Sequence, residues 1–203
     1  MTNARVIAIE HVTLDGVYQA PARVDEDGRG GFKHGGWSTA TDAPETTQGV
    51  ISKYMREGWR LLVGQTTYED LYEGWHVRQP EHPMTQALTK VQKLVASHDR
   101  AYQPAWDNST LLEGEASDAV AKLKAQAGTP LIIFGSGVLV RSLMAKEIVD
   151  EFVLMIHPLV LGEGRRLFDE APFAKFKLAD QVKADTGVIV ATYQLSSGGR
   201  QRA

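Results

Sequence analysis

Three short segments of this 203-residue chain place small or glycine residues directly after an apolar run. They are Gly64-Gln65-Thr66-Thr67, Ser97-His98-Asp99 and Gly135-Ser136-Gly137-Val138. The first and third are followed by helical patterns, the second less clearly. A helix start exposes unpaired N–H groups and a partial positive charge, and glycine lets the backbone approach a phosphate closely. Two such turns facing one crevice suit the two ends of a dinucleotide pyrophosphate. Neither turn completes the six-residue dinucleotide fingerprint or the phosphate loop ending in Gly-Lys-Ser/Thr. A glycine between strand and helix also serves plain turn geometry, so both readings stand for either turn alone.

The elements around these segments alternate. Arg5 to Val12 reads as a strand that stops at the turn Thr13-Leu14-Asp15-Gly16. Val17 to Ala43 is glycine-rich and charged without an apolar period, a loop long enough to act as a lid. Pro44 to Glu57 follows as a helix, with Asp42 and Pro44 suited to its cap and first turn. Arg60 to Val63 is a strand, Thr66 to Gly74 a helix, Lys90 to Ser97 a strand and Ser109 to Leu112 a shorter one. Ser117 to Gln126 carries Ala119, Val120, Leu123 and Ala127 at the spacing of one helix face. Pro130 to Phe134 reads as a strand buried on both faces, and Val138 to Ala145 as a helix. That order predicts a mostly parallel sheet with helices on both faces. Glu151 to Ile156 is a further strand, and Lys175–Ala184 with Val188–Leu195 form a hairpin through Asp185-Thr186-Gly187. The expectation is therefore one α/β domain over residues 1–195, its mixed sheet ending in antiparallel strands, with a frayed polar tail at 196–203.

Composition narrows the function classes. A formal net charge of −3 with both signs scattered argues against a nucleic-acid partner. Without cysteine there is no disulfide, thiolate nucleophile or cysteine-ligated metal, and His11 and His34 lack partners at metal-ligand spacing. No metal is expected. Met1 to Glu10 has no signal-peptide pattern, and no apolar run approaches the roughly 18 residues of a membrane helix, so the chain reads as cytoplasmic. Trp59 and Trp75 read as packing against the sheet, with Trp75 also suited to a cleft wall.

Five segments occur in a telling order: Thr13-Leu14-Asp15-Gly16, then Leu62 to Glu69 (LVGQTTYE), then Phe134-Gly135-Ser136-Gly137, then Val149-Asp150-Glu151-Phe152, then Pro158 to Phe168 (PLVLGEGRRLF). The set resembles the reductase domain of bacterial riboflavin biosynthesis and its stand-alone relatives, within the dihydrofolate reductase superfamily. It runs from about Arg5 to Leu195, and the Val149–Phe168 block is its most specific part. The resemblance implies a three-layer α-β-α fold of the dihydrofolate reductase type and an NAD(P)H-dependent reductase. Gly64, Gln65, Thr66 and Thr67 would then lie on one side of the NADPH phosphates, and Gly135, Ser136, Gly137 and Val138 on the other. Ser97 and His98 would lie near the adenosine ribose. Family members commonly carry arginine at Gln65 and a Ser-Arg pair at Ser97-His98, so NADH stands beside NADPH, with Arg100 or His98 as substitute contacts for a 2′-phosphate.

In the superfamily the substrate ring stacks on the nicotinamide beneath the first loop and first helix. That makes Leu14, Asp15, Gly16, Trp37 and Tyr54 the substrate-binding candidates, and Asp42 the catalytic carboxylate unless it is simply the helix cap. Gly162 to Arg166 reads as a structural turn whose arginines pair with Glu163, Asp169 or a phosphate. Relatives often pair, which implies a homodimer through the C-terminal strands. The expected activity is hydride transfer to a small heterocyclic, pterin or riboflavin-pathway-like molecule. Two rivals remain: a true dihydrofolate reductase, which methotrexate affinity would reveal, and a nucleotide- or flavin-binding module without turnover.

Overall fold

Along the first strand the side chains divide in the period-2 manner of a sheet buried on both faces. Val6, Ala8 and Val12 enter one apolar cluster, Ile7 and Ile9 another. The computed structural model describes residues 3–196 apart from 57 and 127. The expected helix end at Glu57, the apolar Ala127 and the tail from 197 onward lie outside the described residues. Among the described residues eight strands form one sheet: β1 (Val6–Thr13), β2 (Arg60–Gly64), β3 (Lys93–Ala96), β4 (Ser109–Leu111), β5 (Leu131–Phe134), β6 (Glu151–His157), β7 (Phe176–Lys183) and β8 (Ile189–Leu195). Their order is β4-β3-β2-β5-β1-β6-β8-β7. Strands β1 to β6 run parallel, while β8 pairs antiparallel with both β6 and β7. The mixed sheet and its C-terminal hairpin thus match the sequence pattern.

Five α-helices flank the sheet: α1 (Pro44–Tyr54), α2 (Gln65–Leu71), α3 (Pro83–Lys90), α4 (Ala116–Ala125) and α5 (Gly137–Ala145). Val120 of α4 and Leu139, Val140 and Leu143 of α5 pack into the cluster on one face. Val50 of α1, Tyr68 of α2 and Leu88 of α3 pack on the other. Three layers result, as the resemblance implied. Helix α2 does not stop near Gly74 but passes into a π-helical turn, Tyr72–Val77, which carries Trp75. Such widened turns are common at functional sites.

Several local expectations are corrected. The strand expected over Lys90 to Ser97 is present but shortened to Lys93–Ala96, and the unassigned stretch before it forms helix α3, started by Pro83 at its first turn and the His82 imidazole, which accepts the Met84 N–H at 3.1 Å. The cap of α1 falls on Ala43 without a side-chain hydrogen bond, so Asp42 is not the cap. Asp42 instead ends a 3₁₀ turn, Trp37–Thr41, and sits in extended backbone. The 17–43 segment is not a loose lid. The amide of Gln19, 2% exposed, donates to the carbonyls of Asp27 (3.1 Å) and Arg29 (2.9 Å) and accepts the Arg165 N–H (3.1 Å). The Trp37 indole N–H donates to the Gln19 carbonyl at 2.7 Å.

Lys93 shows how closely the sheet edge is tied to α3. Its fully buried ammonium donates to the carbonyls of Leu88 (2.7 Å), Thr89 (3.3 Å) and Val91 (3.0 Å), and lies over the Trp106 ring. These carbonyls end the helix and have no intrahelical partner. Replacing Lys93 with Ala should therefore destabilise the chain by about 2–4 kcal/mol in urea unfolding, through unpaired carbonyls and a new void.

Candidate active-site cleft

The carboxyl ends of β1, β2, β3 and β5 open onto one cavity of about 590 Å³. Ligands of open α/β sheets bind in such a crevice. At one end the two glycine turns meet. Gly64 precedes α2 in extended backbone, and its N–H donates to the Ser136 hydroxyl at 3.0 Å. Gly135 (φ +60°) and Ser136 (φ +63°) are both left-handed, which turns β5 abruptly into α5. A side chain at Gly135 would be strained by that φ and would meet the Thr67 methyl at 3.3 Å. At Gly137 a Cβ would lie 2.4 Å from the Tyr18 ring, so Tyr18 rests directly on the start of α5. The result is a glycine-lined cradle bounded by the starts of two helices.

Ser97, His98, Asp99 and Arg100 extend this end of the cavity. The Ser97 hydroxyl donates to the Gln65 side-chain carbonyl at 2.6 Å, and the Gln65 amide donates to Glu69 at 3.0 Å. Gln65 thus ties the first of these segments to the second, where an arginine was expected to face a phosphate. All ten residues singled out for the cofactor, Gly64 to Thr67, Ser97, His98 and Gly135 to Val138, line the cavity. Arg29, which sequence reading missed, joins them from the long loop. Its guanidinium is held by Asp27 at 2.6 Å and reaches the Thr66 hydroxyl at 3.5 Å.

The other end is apolar, lined by Ile51, Leu71, Trp75, Met84, Leu88 and Met155. Two titratable residues of β1, neither assigned a chemical role from sequence, meet the cavity beside it. Glu10 is 1% exposed, and its Oε1 finds no hydrogen-bond partner among the described residues. Burial raises its pKa well above the usual carboxylate range, which favours the protonated carboxyl. His11 lies one residue on, on the side of β1 that Ile9 shares. Its Nδ1 is 2.9 Å from His157 Nε2, and His157 Nδ1 is 2.8 Å from the Thr41 hydroxyl. Burial, reinforced by His157, drives the His11 pKa down to about 3. Burial also lowers that of His157, against the opposing charge of Asp42. Both rings are therefore neutral near pH 7.

None of the residues singled out for substrate or catalysis lines this cavity. Leu14 is 63% exposed, and Gly16 (φ +80°) shapes its turn. Asp15 is committed to that turn: it accepts the Thr13 hydroxyl (2.6 Å) and the Gly162 N–H (2.9 Å) and faces the Arg166 guanidinium (3.6 Å). The Thr13 hydrogen bond leads the causes that lower its pKa. Arg166 therefore pairs with Asp15 rather than with Glu163 or Asp169. Tyr54 faces Thr192 and Glu151, and Glu151 begins β6 at the opposite sheet edge; burial first, then Glu151, pushes its phenol up to about 12. Trp37 and Asp42 reach the cavity only indirectly, through His157. Glu10 was legible as a carboxylate inside an apolar strand, a pattern that calls for a partner or a function. Among the described residues no group of three or more side chains could hold a metal ion, and no helix is long and apolar enough to cross a membrane.

The architecture is that of the dihydrofolate-reductase-like α/β class. Dihydrofolate reductase from Enterococcus faecalis, solved with NADP(H) and RAB-propyl, superimposes with a TM-score of 0.63 over 97% of this chain and 99% of its own at 15% identity. A protein of Shewanella sp. PV-4 assigned to riboflavin biosynthesis gives a TM-score of 0.73 at 21% identity, covering 95% of this chain and 99% of that one. Within this class the profile of the RibD C-terminal domain matches residues 4–190, and the chain belongs to that family. The uncharacterized Bacillus subtilis protein YyaP is 30% identical over 139 residues, 66% of this chain and 72% of that protein.

The two buried groups on β1 give stability opposite pH dependences. Glu10 keeps its proton in the fold but releases it above about pH 4.5 when unfolded, so its contribution is lost as pH rises. His11 stays neutral in the fold but takes a proton below about pH 6.5 when unfolded, so stability falls as pH drops toward 3. Thermal unfolding across pH should therefore show Glu10→Gln gaining on the parent protein at pH 8 relative to pH 4. His11→Gln should flatten the acid limb.

Proposed function

We propose that the chain is an NAD(P)H-dependent reductase that passes a hydride to a small ring-containing substrate. The observation that carries this reading is the joining of two glycine turns by the Gly64–Ser136 hydrogen bond at one end of a cavity whose other end is apolar. A side chain at Gly135 would be strained at φ +60° and would crowd Thr67, and the buried Glu10 carboxyl has an oxygen without a hydrogen-bond partner among the described residues, as a site shaped around a bound group would. Gly64 to Thr67 and Gly135 to Val138 would hold the phosphates from the two helix starts. Ser97 and His98 would take the adenosine ribose. Arg100, whose guanidinium makes a long 3.4 Å contact to the Leu112 carbonyl, would face a 2′-phosphate and favour NADPH over NADH.

When bound, the reduced nicotinamide supplies the hydride. The chain supplies position, exclusion of water and a proton. Ile51, Trp75 and Met84 would pack the substrate ring in the apolar lobe, where low polarity strengthens any hydrogen bond made to it. His11 is held by His157 through Nδ1, so its Nε2 is the nitrogen that can hold or give a proton toward that lobe. Glu10, a neutral acid on the other side of β1, would donate a hydrogen bond to the cofactor end. These roles replace those assigned from sequence to Asp42, Asp15 and Tyr54.

Calorimetric titration with NADPH and with NADH tests the reading. Micromolar binding is expected, tighter for NADPH. Gly135→Val, strained at φ +60° and crowding Thr67, should weaken it roughly tenfold or more while the melting curve remains cooperative. Failure of both cofactors to bind the parent protein overturns the reading.

A further inference from the structure

The charges at the rim of the apolar lobe are lopsided. Glu26, Asp27 and Asp70 line the cavity next to Leu71 and Trp75. Among the described residues Arg29 is the one arginine of the cavity near these carboxylates; it stands where the rim meets the cradle, reaching the Thr66 hydroxyl, and is already spent on Asp27, with contacts of 2.6 and 2.7 Å. Behind the rim, Arg23 is shared between Asp25 at 3.4 Å and Asp70 at 3.5 Å, and Arg78 between Asp25 and Glu73 at 3.0 Å each. The remaining cavity arginine, Arg100, belongs to the distant end beside Asp99 and Glu115. No lysine lines the cavity. A ligand carrying a phosphate or carboxylate into the lobe would find no guanidinium or ammonium free to receive it.

The crowding of these carboxylates already affects one of them. Asp70 is pushed up to about 6, by burial first and by the charge of Glu26 next, despite Arg23 alongside. A rim that resists the ionisation of its own aspartate resists a visiting anion for the same reason.

From this geometry we infer that the substrate is a neutral or cationic ring without an anionic appendage, neither phosphorylated nor carrying a carboxylate tail. The inference deepens the reductase reading and rests on it. Within that reading, Glu26, Asp27 and Asp70 are the residues that set specificity, acting by repulsion at the entrance rather than by contact with the reacting atoms.

The test is calorimetry on the protein saturated with NADP⁺, using two matched pairs of probes: lumiflavin against FMN, and pterin against pterin-6-carboxylate. Within each pair the uncharged member should bind roughly tenfold or more tightly, and the ratio should shrink in about 1 M NaCl, where exposed charges are screened. Glu26→Gln with Asp70→Asn should bring the ratio toward one. Glu26→Gln alone, which leaves the Arg23–Asp70 contact intact, should move it the same way if the double variant melts early. Equal or tighter binding of the anionic members, a ratio that salt leaves unchanged, or no binding of any probe overturns the inference. Each of those results is read with NADP⁺ already bound, so the reductase reading survives them. Absence of NADP⁺ binding overturns both.

Discussion

A parallel sheet covered on both faces can meet a ligand only at its strand ends. That constraint governs the rest of this structure. The helices seal the two faces with Leu139, Val140 and Leu143 on one side and Val50, Tyr68 and Leu88 on the other. What remains open is the edge where β1, β2, β3 and β5 finish together. Every residue there serves two purposes, since it must turn the chain and also present a chemical group. Ser136 illustrates the compromise: its left-handed backbone starts α5, and its hydroxyl is spent on the neighbouring turn rather than on capping its own helix. Both helix starts thereby line the cavity.

The same constraint explains why the two ends of the cavity differ in kind. Turns between strand and helix expose backbone donors, so the end they line suits phosphates. The lobe beyond is walled by side chains of α1, the π-helical turn and α3, which belong to the apolar cluster on that face. It is greasy because it is an unfilled extension of the core. Placing a carboxyl and an imidazole on adjacent residues of β1 sends one to each side of the strand. Two opposed environments are thus served by Glu10 and His11 from one short stretch of backbone.

Legibility in the sequence followed the range of the interactions. The strands, the hairpin at Asp185-Thr186-Gly187 and the glycine turns are written in local patterns of apolar spacing and turn residues, and all could be read. Helix α3 was missed because its amphipathic signal is short and sits between a polar stretch with proline and histidine, Gln79 to Pro83, and strand β3. The substrate side is less legible in the sequence for a different reason. Asp15 and Tyr54 look available in the sequence, but partners far along the chain, Gly162 with Arg166 for one and Glu151 with Thr192 for the other, have already engaged them. Nothing local announces such partners. His11 acquires its character only through His157, which lies 146 residues on.

The ties between the long loop and the segment after β6 have a consequence for how the molecule comes apart. Val17 bridges to Arg166, the Tyr18 N–H donates to the Arg165 carbonyl, Gln19 accepts from Arg165, and Asp15 accepts from Gly162. Two stretches widely separated in the chain are therefore stitched into a single cooperative unit. Neither can fray without releasing the other, so the amides of residues 15–19 and 161–167 should share one opening free energy, distinct from that of the sheet beneath them.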